Sequence, residues 1–166
     1  MKISSFNKLE KPFFHLSYNQ DIFKKLYEST CEKYENNSKK FVAMIDGQKC
    51  HNKKSFFREF SKKMKFPDYF GDNWDAFDEC LNDLEWLDGE QYVLFIKDFN
   101  LIFENDEKNL EIFLNIIVDT VEEWKMGREY GALQTPPTPF HIVMYSDKDI
   151  ISDLQIKTHN EPINLF

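Results

Sequence analysis

Short apolar runs alternate with helix-like patterns along the chain. Three runs rich in β-branched and aromatic residues are typical of buried strands: Phe41–Ile45, Tyr92–Ile96 and Phe140–Tyr145. Between them, apolar residues recur at helical spacing in three segments: 52–64, 74–84 and 109–125. The order strand, helix, helix, strand, helix, strand predicts an α/β fold with a small parallel sheet of about three strands packed with helices.

The first forty residues have the pattern of an added layer. Phe13 to Leu16 is a candidate short strand, and helical spacing from Ile22 to Tyr34 follows the candidate capping residue Asn19. The polar stretch ENNSKK at 35–40 then separates this layer from the first core strand. We therefore predict an N-terminal extension containing a helix over 1–40, a main domain over 41–146 and a C-terminal tail over 147–166.

Composition indicates a folded, acidic protein. The 166 residues are 42% hydrophobic and include 17 Phe, seven Tyr and three Trp, which is enough ring area for one core. The net charge of −8 repels phosphate backbones and anionic lipids, so we predict no direct nucleic-acid binding and no membrane binding. No run is apolar and long enough for a signal sequence or a membrane span, which favours a cytoplasmic protein.

Residue types that carry chemistry form no catalytic or metal-binding pattern. The three cysteines show no C-x-x-C spacing, and we expect reduced thiols with Cys80 in the core. The four histidines have no metal-ligand spacing, and His141, inside an apolar run, is expected to be a core imidazole with hydrogen-bond partners. We therefore predict no metal, no cofactor and no enzymatic activity.

Charge is segregated along the chain. From Lys49 to Lys65 there are seven basic residues and one acid, whereas from Phe66 to Ile96 there are nine acids and no Lys or Arg. A surface that serves only solubility usually mixes the two signs, because a field of one sign raises self-repulsion. The acidic stretch is therefore a candidate binding surface.

A helical wheel of 74–84 separates apolar residues from acids. The side expected to face the core holds Trp74, Phe77, Cys80, Leu81 and Leu84. The opposite side holds Asp75, Asp78, Glu79 and Asn82. Asp75 and Glu79 lie one turn apart, a like-charge spacing that costs a helix about 0.2 to 0.5 kcal/mol.

Two interpretations of these acids stay open. Acids in a first turn complement the helix dipole, which accounts for Asp75 and hardly for Glu79. The alternative is a row of carboxylates that stands where nucleic-acid phosphates would stand and pairs with the Arg and Lys of an RNA-binding enzyme.

The loop before this helix also has two interpretations. Gly71 is free to adopt a positive φ, and Asn73 is placed to cap the helix. Tyr69 and Phe70 are either ordinary core rings or the aromatic part of an interface beside the acids.

The segment FPDYFGDNWDAFDECLNDLEW at 66–86 resembles the signature of the barstar family, the bacterial intracellular inhibitors of barnase-like ribonucleases. The shared features are an aromatic pair, a glycine, an acid and an asparagine, followed by Asp-Ala at the start of a helix, a second acid and Cys-Leu. A looser resemblance runs from Phe41 to about Tyr145, where the order of strands and helices is that of the barstar fold.

The resemblance implies a protein that blocks the active site of a ribonuclease with this helix and the preceding loop. It implies contacts at Tyr69, Gly71, Asn73, Asp75 and Glu79, with Asp119 on the long helix as a further acid. The full set of partner-binding residues that we predict is Tyr69, Phe70, Gly71, Asn73, Asp75, Asp78, Glu79, Asn82 and Asp119. The expected partner is a basic protein, and the chain is expected to be a monomer when free.

Two hypotheses about the partner follow from the resemblance. The first is a bacterial ribonuclease, and if that ribonuclease is a toxin the chain would be the immunity protein or antitoxin. The second is a non-nuclease basic protein, for which the chain would be an acidic binding module. Glu79 stands where the best-known family member has aspartate, and Asp78 stands where it has an aromatic residue, so the pocket of the partner need not be that of barnase.

Overall fold

The computed structural model describes residues 1–130 and 133–166, and for residues 129, 130 and 133 only the backbone. Its helices are α1 (Gln20–Tyr34), α2 (Lys53–Met64), α3 (Trp74–Asp83), α4 (Glu107–Met126) and α5 (Ile151–Lys157). Its strands are β1 (Phe14–Ser17), β2 (Lys40–Asp46), β3 (Gln91–Lys97), β4 (Arg128–Tyr130), β5 (Leu133–Thr135), β6 (Phe140–Tyr145) and β7 (Ile163–Leu165). Short 3-10 turns lie at Ile3–Asn7, Gly47–Lys49, Glu85–Leu87 and Phe99–Leu101.

Five parallel strands form the central sheet in the order β2-β3-β6-β1-β7, and β4 and β5 form a separate antiparallel hairpin. The predicted α/β class with a parallel sheet is confirmed. The expected number of about three strands was too low, because β1 pairs with β6 and β7 pairs with β1. β7 has only three residues, too few for an alternating pattern to mark it as a strand.

Each face of the sheet has its own helical layer, as the alternation of side chains along β3 requires. Leu94 and Ile96 point into the larger core, which α2, α3, α4 and α5 cover. Val93 and Phe95 point to the other face, where α1 and the Ile3–Asn7 turn cover them. The helix of the first forty residues therefore packs on the face of the sheet opposite to α3.

Phenylalanine rings in tilted and edge-to-face contact join the helices of the larger core. The ring of Phe56 on α2 lies 4.4 Å from that of Phe60, 5.2 Å from that of Phe77 on α3 and 5.0 Å from that of Phe113 on α4, between centroids. All four side chains are fully buried. This cluster fixes α3 against both α2 and α4.

A pair of histidines lies buried between the N-terminal turn and the sheet. His15 Nε2 and His141 Nδ1 are 3.0 Å apart, and His141 Nε2 lies 3.1 Å from the carbonyl oxygen of Lys8. Burial lowers the pKa of His141 to about 4. Burial, together with the charge of His141, lowers the pKa of His15 to about 3. The expected core imidazole at His141 is confirmed.

The division into 1–40, 41–146 and 147–166 stays a prediction. β1 comes from the first of these parts and β7 from the last, and both pair within the sheet that the middle part forms. No helix among the described residues combines the length and the apolarity that a membrane crossing requires.

Candidate functional site

The apolar side of α3 is held firmly against the rest of the protein. Phe77 is fully buried, and its ring lies 5.1 Å from that of Phe60. Trp74 is half-buried, and its Nε1 donates a hydrogen bond of 3.0 Å to Oδ1 of Asn109 on α4. With this side anchored, the residues about 180° away on the helix must face solvent.

The cap of α3 ties the preceding loop to the helix. Asn73 Oδ1 accepts a hydrogen bond of 2.9 Å from the amide of Ala76, and Asn73 Nδ2 donates one of 3.1 Å to the carbonyl oxygen of Gly71. The predicted cap at Asn73 is therefore confirmed. Because loop and helix share this one side chain, both are held in place before any partner binds.

Gly71 is free to adopt a positive φ but does not do so. Asp72 adopts the left-handed conformation instead, with φ of 50°, which Asp tolerates better than most residues. A Cβ atom at Gly71 would lie 2.9 Å from Asn73 Nδ2. The glycine therefore accommodates the close approach of the capping side chain, and the sharp bend lies one residue later.

The two loop aromatics divide between the two interpretations that the sequence left open. Phe70 is half-buried, and its ring lies 5.0 Å from that of Phe66 and 5.8 Å from that of Phe57, so it belongs to the core. Tyr69 is 76% exposed. A shallow cleft of about 190 Å³ lies between this loop and α3. Its lining includes Tyr69, Phe70, Ala76, Glu79, Cys80 and Asp83.

Asp75 and Glu79 are both exposed on α3. Among the described residues, no Lys, Arg or His nitrogen lies within 4.0 Å of either carboxylate. The first forty residues do not cover them either. Two like charges at this spacing, without an internal cation, leave a negative potential directed at solvent.

Asp78 is half-buried on the side of α3 that faces α4. Burial raises the pKa of its carboxyl, and the charges of Glu123 and Asp119 on α4 and of Asp75 and Glu79 raise it further. Asn82 Nδ2 donates a hydrogen bond of 3.0 Å to Asp78 Oδ1. The two helices therefore place five carboxylates in one field, which we call the acidic face: Asp75, Asp78, Glu79, Asp119 and Glu123.

Glu123 is the member of the acidic face that the sequence analysis missed. Its charge is the largest electrostatic contribution to the raised pKa of Asp78, ahead of that of Asp119. Both are exposed and lie four residues apart, one turn of α4. That spacing repeats the spacing of Asp75 and Glu79 and could have pointed to Glu123.

The acidic face lies on the outer sides of two helices, and its carboxylates do not converge on one point. Within residues 1–130 and 133–166, no three His, Cys, Asp or Glu side chains are grouped as a metal site would require. The arrangement presents negative charge over an area, which suits the recognition of a positively charged surface.

Comparison with protein-family models decides the family. The model described as Barstar (barnase inhibitor) matches residues 40–144, more than half of the 166-residue chain. The chain belongs to the barstar family. The match runs from β2 into β6 and includes the loop and helix that carry the barstar resemblance, which is thereby confirmed. A comparison with curated protein sequences gives no match.

Membership in the barstar family bears on the role of the acidic face. The barstar family consists of inhibitors, not enzymes, and its partners are ribonucleases of the barnase type. The elements outside the matched range are β1 and α1 before it and α5 and β7 after it. α1 covers the face of the sheet away from α3, β1 and β7 extend the sheet beyond β6, and α5 packs into the larger core. Asp75, Glu79, Asp119 and Glu123 of the acidic face stay exposed.

Proposed function

We propose that the chain inhibits a ribonuclease by placing the acidic face of α3 and α4 in its phosphate-binding active site. The observation that carries the proposal is the pair Asp75 and Glu79, exposed one turn apart and, among the described residues, in no ion pair. An enzyme that cleaves RNA must bind phosphates with Arg and Lys, and carboxylates accept charge-assisted hydrogen bonds from the same side chains. The face therefore offers such an active site the charge pattern of its substrate.

The rigidity of α3 supports this role. Its inner side is fixed by the rings of Phe60 and Phe77, and its start is fixed by the bonds of Asn73. Carboxylates on a preformed helix lose little conformational freedom on binding, so less of the interaction energy is spent on ordering them. A flexible acidic loop would lack this advantage.

The predicted site residues take different roles in this proposal. Tyr69, Asp75, Glu79 and Asp119 contact the partner directly, since all four are exposed. Asp78 and Asn82 contact it at the edge of the α3 and α4 junction. Gly71 and Asn73 shape the loop, and Phe70 holds the loop to the core so that Tyr69 projects outward.

Asp78 also supports a partner whose binding surface differs from that of barnase. A half-buried carboxylate whose pKa is raised by burial and by four neighbouring acids is stabilised when a cation approaches it. We propose that the partner presents a Lys or Arg to the Asp78 and Glu123 side of the face. An aromatic residue at position 78 would not select such a partner.

We further propose that the chain acts as a cytoplasmic monomer that binds one nuclease. If the nuclease is a toxin, the chain acts as its immunity protein or antitoxin. The sign of its net charge makes direct RNA binding unfavourable, so inhibition occurs by occupying the enzyme and not by sequestering its substrate.

The test is an RNA cleavage assay with barnase-type ribonucleases. Addition of the chain should abolish cleavage at stoichiometric ratios with at least one such enzyme, and Asp75→Asn with Glu79→Gln should abolish the inhibition. Asp153→Asn, an exposed acid on α5, is the matched control and should inhibit as well as the unmodified chain. Equal inhibition by the double variant would contradict the proposal, as would binding to basic proteins without any effect on RNA cleavage.

A further inference from the structure

One edge of the central sheet is long and open. β2 pairs with β3 along all seven of its residues, from Lys40 opposite Gln91 to Asp46 opposite Lys97. In the part of the chain that the structure describes, no strand pairs with its other side. The opposite edge of the sheet is the three-residue β7. A strand edge of seven residues offers unpaired backbone groups to another chain, and proteins commonly protect such edges.

Among the described residues, hydrogen bonds protect the two ends of this edge. The amide of Asp46 donates a hydrogen bond of 3.2 Å to Glu59 Oε1, and the amide of Lys40 donates one of 3.0 Å to the carbonyl oxygen of Asn37. Backbone groups alternate in direction along a strand, so Val42 and Met44 point their amides and carbonyls to this same outer side. The middle of the edge is therefore available for a β-ladder.

A groove runs beside the open edge. It encloses about 480 Å³, and Phe41 and Val42 of β2 line it. One wall is the end of α1, with Tyr34 and Glu35, and the other is the end of α2, with Lys63 and Lys65. A strand edge between two walls is the shape that binds an extended peptide by strand addition.

Two bases of the basic stretch, Lys63 and Lys65, line one side of this groove, and the other bases of α2 lie on the same helix. On α2 the bases are exposed except for half-buried Lys63, and its one acid, Glu59, is buried and bonded to β2. Among the described residues, none of the α2 bases forms an ion pair; these are Lys53, Lys54, Arg58, Lys62 and Lys63. The proposed inhibition of a basic nuclease gives these residues no role.

We propose that the outer edge of β2 and the basic side of α2 bind an extended acidic segment of a second partner protein, which adds a strand to the sheet. The backbone groups of Val42 and Met44 provide the ladder. Lys63 and Lys65 receive acidic side chains from the face of the added strand that lies against α2. The site lies apart from the acidic face and does not depend on the proposed ribonuclease inhibition.

Two other occupants fit the observations less well. A second copy of the chain, paired antiparallel through β2, would bring the two α2 helices together on the same face of the joined sheet, and their bases would repel one another. A nucleic acid would meet the bases but would leave the backbone groups of Val42 and Met44 without strand partners, and the net charge of −8 opposes it.

The probe is a fluorescein-labelled peptide of alternating Glu and Val, titrated with the full chain and followed by fluorescence anisotropy. We expect saturable binding, and Lys63→Glu with Lys65→Glu should raise Kd by about tenfold or more. Lys25→Glu with Lys108→Glu makes the same charge change on exposed positions of α1 and α4 and should leave Kd unchanged. Val42→Pro removes one outward amide, a change that edge strands tolerate, and should also weaken binding while circular dichroism shows the fold retained.

Several results would overturn the proposal. The first is the absence of peptide binding, and the second is equally tight binding of a peptide in which Lys replaces Glu. The third is a rise in Kd for the Lys25 and Lys108 control variant as large as that for the Lys63 and Lys65 variant. Stronger competition by a single-stranded oligonucleotide than by the unlabelled peptide would make the groove a polyanion site. A dimer in sedimentation that Val42→Pro converts to a monomer would assign the edge to a second copy.

Discussion

Asn82 Nδ2 donates a hydrogen bond of 3.0 Å to Asp78 Oδ1, one turn earlier on α3. This bond holds a half-buried carboxylate beside the acids of α4. The hydrogen bond favours the charged form of Asp78, but burial and four neighbouring acids dominate and raise its pKa. The free protein therefore carries a carboxylate that its own surroundings destabilise.

Asp78→Asn should stabilise the free protein while weakening its complex with a nuclease. The folded-state pKa of Asp78 lies above 3.8, so the folded state binds more protons than the unfolded state just above pH 3.8, and stability from this group falls as pH rises through that range. Asp78→Asn removes the carboxyl group and with it this loss of stability. Urea unfolding at several pH values should show a difference between the two proteins that grows above pH 3.8 and then becomes constant. A variant less stable than the unmodified chain at neutral pH would contradict the expectation.

The buried His15 and His141 pair should make the fold sensitive to acid. Their pKa values of about 3 and about 4 lie below the ordinary 6.5, so below pH 6.5 the unfolded state gains protons that the folded state does not bind. Stability should fall as pH drops from 6.5 towards 3, since each pKa unit corresponds to about 1.4 kcal/mol.

The variant that tests this prediction is His15→Gln with His141→Gln. It keeps polar groups at both positions but removes the two imidazoles that titrate. Its free energy of unfolding, measured in urea between pH 7 and 4, should depend less on pH than that of the unmodified chain. An equal slope in both proteins would show that the carboxylates, and not these imidazoles, set the acid sensitivity.

Asn73→Ala and Asn52→Ala separate stability from binding. Each asparagine caps a helix, Asn73 that of α3 and Asn52 that of α2, and loss of either cap should cost about 1 kcal/mol in urea unfolding. Only Asn73 also holds the loop that carries Tyr69. Asn73→Ala should therefore weaken nuclease binding, whereas Asn52→Ala should not. Equal effects on binding would show that overall stability controls the affinity.

Tyr69→Ala should weaken nuclease binding without a change in stability, whereas Phe70→Ala should lower the stability of the fold. Tyr69 is 76% exposed, so its loss should leave urea unfolding unchanged and raise the Kd of the nuclease complex by about tenfold or more, as for an aromatic interface anchor. Phe70 packs on Phe57 and Phe66, and its loss should cost about 2 kcal/mol in stability. A Tyr69→Ala variant with an unchanged Kd would remove Tyr69 from the binding site.

Local features of the fold could be predicted from the sequence because neighbouring residues produce them. Asn19 and Asn73 each cap the helix that the pattern assigned to them, since a cap depends on one side chain and the next few amides. The burial of Phe77 and Leu81 and the exposure of Asp75 and Glu79 on α3 followed from its helical period in the same way.

Features that depend on distant parts of the chain could not be predicted. β7 joins the sheet because residues 163–165 pair with β1. The two strands are far apart in sequence, and a pattern of three residues is too short to predict the pairing. The half-burial of Asp78 and its proximity to Glu123 depend on how α4 packs against α3.

The dissociation constant of the chain with a ribonuclease that it inhibits, measured for Asp75→Ala and Glu79→Ala, tests the acidic face most directly. Each variant should fold as the unmodified chain does and lose about 2 to 5 kcal/mol of binding free energy, a range that rests partly on the barnase and barstar pair itself. Asp153→Ala should bind unchanged. If both α3 variants bind as tightly as the Asp153 control, the acidic face is not the inhibitory surface.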